Sequence, residues 1–131
     1  MTHHAEGAFE VKLTPLTEGN TDWGALGRFG LDKRFSGDLE ATSRGQMLSC
    51  GDPKGGSAGY VAIEVLTGSL GGRRGGFALQ HSGTMQDGRS DMVITVVPGS
   101  GTGELKGLAG TFRILLEGGK HRYAFDYTLP E

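Results

Sequence analysis

The sequence predicts an all-β fold, an eight-stranded antiparallel barrel, on three observations. Apolar residues recur with period two in short runs, and turn-forming residues separate those runs at regular intervals. Glycine reaches 25 of 131 residues while proline is only 4, and apolar alternation persists between the glycines, which fits many strands and many turns rather than disorder or a collagen repeat. The connections are hairpin-like almost throughout, so consecutive strands can pair as a meander and close without leaving an edge; this favours a barrel over a sandwich. A chain of 131 residues is most simply one domain and buries roughly two-thirds of its unfolded surface. Residues 1–6 precede the first alternating run and are expected to be flexible.

The first strand is read over 8–13, where Phe9, Val11 and Leu13 alternate with Glu10 and Lys12. A long connection follows to residue 27, carrying Pro15, Gly19, Asn20, Gly24 and the lone Trp23. Its aromatic ring either closes over a ligand as part of a lid or anchors the loop on the barrel wall. Strand two covers 28–35, with Phe29, Leu31 and Phe35 opposed to Arg28, Asp32 and Arg34, and Ser36-Gly37-Asp38 turns the chain. Strand three, 39–50, sets Leu39, Ala41, Gly45 and Met47 against Glu40, Thr42, Arg44 and Gln46. Strand four, 60–67, is apolar on both faces: Val61, Ile63 and Val65 on one, and Tyr60, Ala62 and Leu66 on the other, which also carries Glu64. Strand five, 77–85, alternates Phe77, Leu79 and His81 with Ala78, Gln80 and Ser82, and Asp87-Gly88 is a hairpin signal. Strand six covers 90–97, and 111–116 with 121–129 form a last hairpin around Gly118-Gly119.

Between strands six and seven lies Pro98-Gly99-Ser100-Gly101-Thr102-Gly103-Glu104-Leu105, continuing to Gly110. This is not a dinucleotide loop, because the sixth position of a motif starting at Gly99 is Glu104, and of one starting at Gly101 is Lys106, where glycine is required. It is not a P-loop either, since the Gly119-Lys120 pair is followed by His121 rather than Ser or Thr. Glycines here permit a tight turn and close passage of backbones at a barrel corner.

That segment resembles the Gly-Gly-Thr-Gly turn of allene oxide cyclases and dirigent proteins. With segments 33–40, 66–73 and 76–83, it makes the chain similar to a family of small bacterial proteins of unassigned function expected to share that barrel. The resemblance implies an eight-stranded antiparallel barrel of the allene-oxide-cyclase type, often a homo-oligomer, and relatives that act on hydrophobic small molecules. It assigns no reaction and no site residue to this chain.

A net charge of -2 provides no field for nucleic acid, and Arg73-Arg74 and Lys120-His121-Arg122 are short basic spots. No run approaches a membrane span and no secretory signal opens the chain, so a cytoplasmic protein with no membrane partner is expected. The single Cys50 excludes an internal disulfide, and His3, His4, His81 and His121 lack metal-ligand spacing, so neither metal nor cofactor is expected.

A polar side chain pointing into a small barrel stands out against its lining, and desolvation would raise a carboxyl pKa into the range of general acid or base catalysis. Glu64 is the first candidate, with Tyr60 on the same face to orient a carbonyl or epoxide oxygen. Alternatively, Val61, Ile63 and Val65 fill the barrel and Glu64 faces solvent. His81 is either a base or proton shuttle or a hydrogen-bonded core histidine. Glu40, Gln80, Arg34 and Trp23 are the candidate ligand-binding residues, the first three lying in strands near Glu64. The expected function is a small-molecule-binding barrel, a cyclase or isomerase acting on a hydrophobic substrate; the alternatives are a non-catalytic carrier and a purely structural barrel with a filled interior.

Overall fold

The computed structural model describes residues 1–16, 26–52, 56–87 and 89–130. Eight antiparallel strands close into a barrel in sequence order: β1 (Thr2–Pro15), β2 (Gly27–Gly37), β3 (Leu39–Asp52), β4 (Ser57–Leu70), β5 (Arg73–Gln86), β6 (Arg89–Val96), β7 (Ala109–Glu117) and β8 (Lys120–Thr128). The predicted fold class and all eight strands are therefore present. Several strands run longer than their alternating cores. Residues 2–6, where the sequence suggests a flexible end, pair along β8 from Thr2 opposite Thr128 to Glu6 opposite Ala124 and close the barrel. Neighbour pairing extends a strand past the point where its own hydrophobic pattern stops.

Inward positions follow the period of two. Phe9 on β1, Phe35 on β2, Leu66 on β4, Phe77 and Leu79 on β5, Ile94 on β6, Phe112 on β7 and Tyr123 and Phe125 on β8 are buried together, and Leu31 on β2 is buried at the same parity. Their rings pack tightly: Phe112 stacks on Tyr123 at 5.4 Å and meets Phe125 at 5.4 Å, while Phe35 approaches Phe112 edge-on at 6.0 Å. These aromatics fill one half of the barrel, the half that also holds the chain ends.

The glycine-rich segment covers that filled end. A single 3-10 turn, Gly103–Leu105, inserts Leu105 and then Leu108 beneath the core, both buried. The segment is tied to β5 by Thr102 N–H donating to the Gly76 carbonyl (2.8 Å), Gly76 N–H to Thr102 Oγ1 (2.9 Å), Ala78 N–H to Ser100 Oγ (3.0 Å) and Arg74 N–H to Glu104 Oε1 (3.0 Å). A Cβ on Gly75 would sit 2.0 Å from the Thr102 carbonyl oxygen, so this approach requires glycine. The corner expected from sequence is thus a plug as well as a turn.

At the other end lie the β3–β4, β5–β6 and β7–β8 connections and the ends of β1 and β2. Asp87 takes φ 51° in the β5–β6 turn, as the Asp-Gly signal predicts. Along the β6–β7 seam only Ile94 with Phe112 and Thr95 with Thr111 are in register, so the strands diverge toward this end.

Candidate functional site

Four neighbouring strands each place one polar side chain on the inner wall. Register sets Lys33 of β2 opposite Ser43 of β3, Gly45 opposite Glu64 of β4, and Ala62 opposite His81 of β5. All four polar residues occupy positions of the same parity as the apolar stripe of their own strand, so packing that stripe inward carries them in with it. Gly45 makes room: a Cβ there would lie 2.6 Å from the Glu64 Cα.

Glu64 is at the centre and has no solvent exposure (0%). Its Oε1 accepts from Ser43 Oγ at 2.9 Å, and its Oε2 accepts from Lys33 Nζ at 2.8 Å and from His81 Nε2 at 2.5 Å. The Lys33 ammonium is further held over the rings of Phe9 (5.1 Å) and Phe35 (5.9 Å). Among the described residues no buried side-chain nitrogen or oxygen lacks a partner, as a stable buried ion pair demands.

Burial pulls the Glu64 pKa up, but the hydrogen bond from His81 and the charge and hydrogen bond of Lys33 together outweigh it and hold the carboxyl at about 2. The raised carboxyl pKa expected from desolvation is therefore corrected: the hydrogen bond from His81 and the inward cation on β2 together reverse the sign. Glu64 stays ionised at neutral pH and acts as an acceptor. Because a carboxylate only accepts, His81 Nε2 carries a proton and Nδ1 is turned toward Tyr60. The Tyr60 hydroxyl lies 3.5 Å from Nδ1, a long hydrogen bond that a small movement would tighten. Burial, and secondarily the Glu64 charge, raise the Tyr60 pKa. The Tyr60 ring lies across Gly83, where a Cβ would come 2.3 Å from Cε1.

Tyr60 also lines a pocket of about 210 Å³ at the barrel mouth, together with Met47, Ala58, Gly83, Met85 and Met92. Among the described residues the interior is thus filled at one end and carries this pocket at the other.

The structure brings Glu64, Tyr60 and His81 into one chain. Glu40, Gln80 and Arg34 instead project from the outer face, exposed, and do not join it; they sit at positions of opposite parity to Leu39, Leu79 and Phe35. Trp23 lies outside the described residues. Lys33 and Ser43 are the residues that sequence reasoning missed. The signal for Lys33 was available: Phe29, Leu31, Lys33 and Phe35 form one period-two stripe, and a charge within such a stripe calls for an opposite charge inside. Among the described residues, no group of three or more His, Cys, Asp or Glu side chains could hold a metal ion, and Lys33 takes the cation's place beside Glu64. Among the described residues no helix is long and apolar enough to cross a membrane.

A family described as proteins of unknown function, DUF3224, matches residues 5–127. A crystal structure of a protein with unknown function from that family, from Shewanella oneidensis MR-1, shares 49% identity with this chain, covers 100% of it and 99% of its own length, and superposes with a TM-score of 0.93. No curated protein matches.

Proposed function

The chain belongs to the DUF3224 family, whose function is unknown, and from the geometry of its interior we propose that it binds a small apolar molecule at the barrel mouth and moves a proton on it, as a cofactor-free cyclase or isomerase. One observation carries this reading: the hydrogen-bonded chain Lys33–Glu64–His81–Tyr60 runs from a fully buried ion pair to the wall of an apolar pocket.

The roles follow from the chemistry of each group. Ionised Glu64 accepts from His81 Nε2–H, fixing the ring so that Nδ1 faces Tyr60, and it stabilises the imidazolium when a second proton arrives. A proton leaving a substrate carbon passes to the Tyr60 oxygen as the Tyr60 proton moves to Nδ1. Its return to another atom of the substrate completes an isomerisation or ring closure with no net redox change. The raised Tyr60 pKa disfavours a free phenolate, which this coupled transfer avoids. Lys33 and Ser43 position the carboxylate.

The test uses Tyr60→Phe, which keeps the ring over Gly83 and removes only the hydroxyl. Wild-type protein and the variant are incubated in D2O with an apolar extract of cells, and the compounds are followed by mass spectrometry. Wild type is expected to produce a deuterated product that the variant forms at least about 100-fold more slowly, the scale of a lost general acid or base. Equal conversion by both would overturn the role of Tyr60.

The carrier reading rests on a separate observation, that Lys33 neutralises Glu64 and a satisfied ion pair has no intrinsic need to react. It is supported instead if a compound is retained by wild type and recovered unchanged and undeuterated.

A further inference from the structure

We propose that the mouth pocket is a site for a neutral, single-ring aromatic compound bearing one oxygen function, such as an aryl ketone, aldehyde or phenol. The proposal rests on the reading of the mouth as a small-molecule site and goes on to its ligand class.

Size is the first constraint. The pocket holds about 210 Å³, and an apolar cavity of about 150 Å³ is enough for benzene. One ring with a short substituent fits within it, whereas a long acyl chain or a fused polycycle would have to protrude from the mouth, because the aromatic core closes the barrel beneath the polar layer.

The lining is the second constraint. Met47, Met85 and Met92 converge there from β3, β5 and β6. Thioethers make favourable contacts with ring edges and adapt to an irregular outline. Met92 remains 44% exposed although it shares the inward parity of Ile94 and Val96. That is apolar surface which a bound ring would remove from water.

Charge is the third. Among the described lining residues the ionisable groups are Tyr60 and Asp91, and none is a cation. Lys33 is committed to Glu64, with a side chain only 6% exposed. A carboxylate ligand would find no compensating positive charge there, so the ligand is neutral. Its oxygen takes the Tyr60 hydroxyl as partner, which gives orientation within an otherwise apolar wall.

The experiment labels the methionine methyl groups with carbon-13 and titrates the full chain with acetophenone, benzoate and 1-decanol in separate samples. Acetophenone is expected to shift the Met47, Met85 and Met92 signals saturably with a Kd of about 1 mM or tighter. Benzoate should bind about tenfold or more weakly. Ala58→Leu, which fills the pocket from its wall, should abolish the acetophenone response while leaving the remaining spectrum folded. Binding of 1-decanol without acetophenone, or benzoate binding as tightly as acetophenone, overturns the ligand class but leaves the mouth as a small-molecule site. No response to any of the three overturns both. A response that persists in Ala58→Leu moves the site elsewhere and overturns the proposal.

Discussion

Replacing Lys33 with Met removes the one buried cation in the barrel among the described residues while keeping most of the side chain's volume. Glu64 is then left with His81 and Ser43 against a burial penalty that acts alone to raise its pKa. In the intact protein the fall of the Glu64 pKa from 4.5 to about 2 corresponds to about 3 kcal/mol of stability at neutral pH. Stranding the carboxylate without its partner is expected to cost that much or somewhat more, about 3–5 kcal/mol, which lowers the Tm by about 10–20 °C for a domain of this size. The pH dependence is specific. A depressed carboxyl pKa contributes stability above its unfolded value and loses it as pH falls through the folded value. About three-fifths of the Glu64 contribution has therefore gone at pH 3, and the gap between wild type and Lys33→Met should narrow from pH 7 to pH 3. Thermal denaturation followed by circular dichroism at both pH values measures it. Glu64→Gln on top of Lys33→Met should recover much of the loss, since no charge then remains buried. A Tm change under about 3 °C at pH 7, or a gap that is the same at pH 7 and pH 3, would refute the electrostatic account of the cluster.

Two further outcomes follow from groups outside the relay. Tyr123 closes the β2–β3 corner, accepting from Leu39 N–H at 2.9 Å and donating to the Ser36 carbonyl at 2.9 Å. Tyr123→Phe leaves Leu39 N–H unpaired and should cost about 1–3 kcal/mol, and in the native protein the phenolate absorbance of this residue should appear only near pH 12, because burial pushes its pKa up to about 12. His4 Nδ1 donates to Asp126 Oδ1 at 2.7 Å and its Nε2 donates to Glu6 Oε2 at 3.0 Å. These bonds, Asp126 first, raise its pKa above 6.5, so its stabilising effect is present below pH 6.5 and is lost as pH rises through the folded pKa; a proton NMR titration should show the raised midpoint, and Asp126→Asn should bring it back toward 6.5.

The strands and turns were legible because their signals are local. Alternation in 8–13, 28–35 and 77–85 needs no tertiary partner to be read, and Asp87, Gly118 and Gly119 take the positive φ that their turns demand. The segment from Pro98 to Gly110 was legible as a corner for the same reason. Its second role, inserting Leu105 and Leu108 beneath the core, depends on β5 lying alongside it.

Which face of β4 points inward was not local information. Val61, Ile63 and Val65 are more apolar than Tyr60, Ala62 and Glu64, yet they stand outside at 53%, 53% and 56% exposure. Closure decided it: each residue's side is set by register with β3 and β5, and the inward parities of Leu39, Ala41, Phe77 and Leu79 leave β4 one orientation. The same closure sets Lys33 and Glu64, which lie two strands apart, 2.8 Å from each other, and places an outward face under Arg34, Glu40 and Gln80. The sequence by itself thus determined an eight-stranded meander and its corners, since period and turn chemistry are properties of short segments. Only the tertiary structure decided what the barrel contains, because interior and exterior exist only once the first strand meets the last.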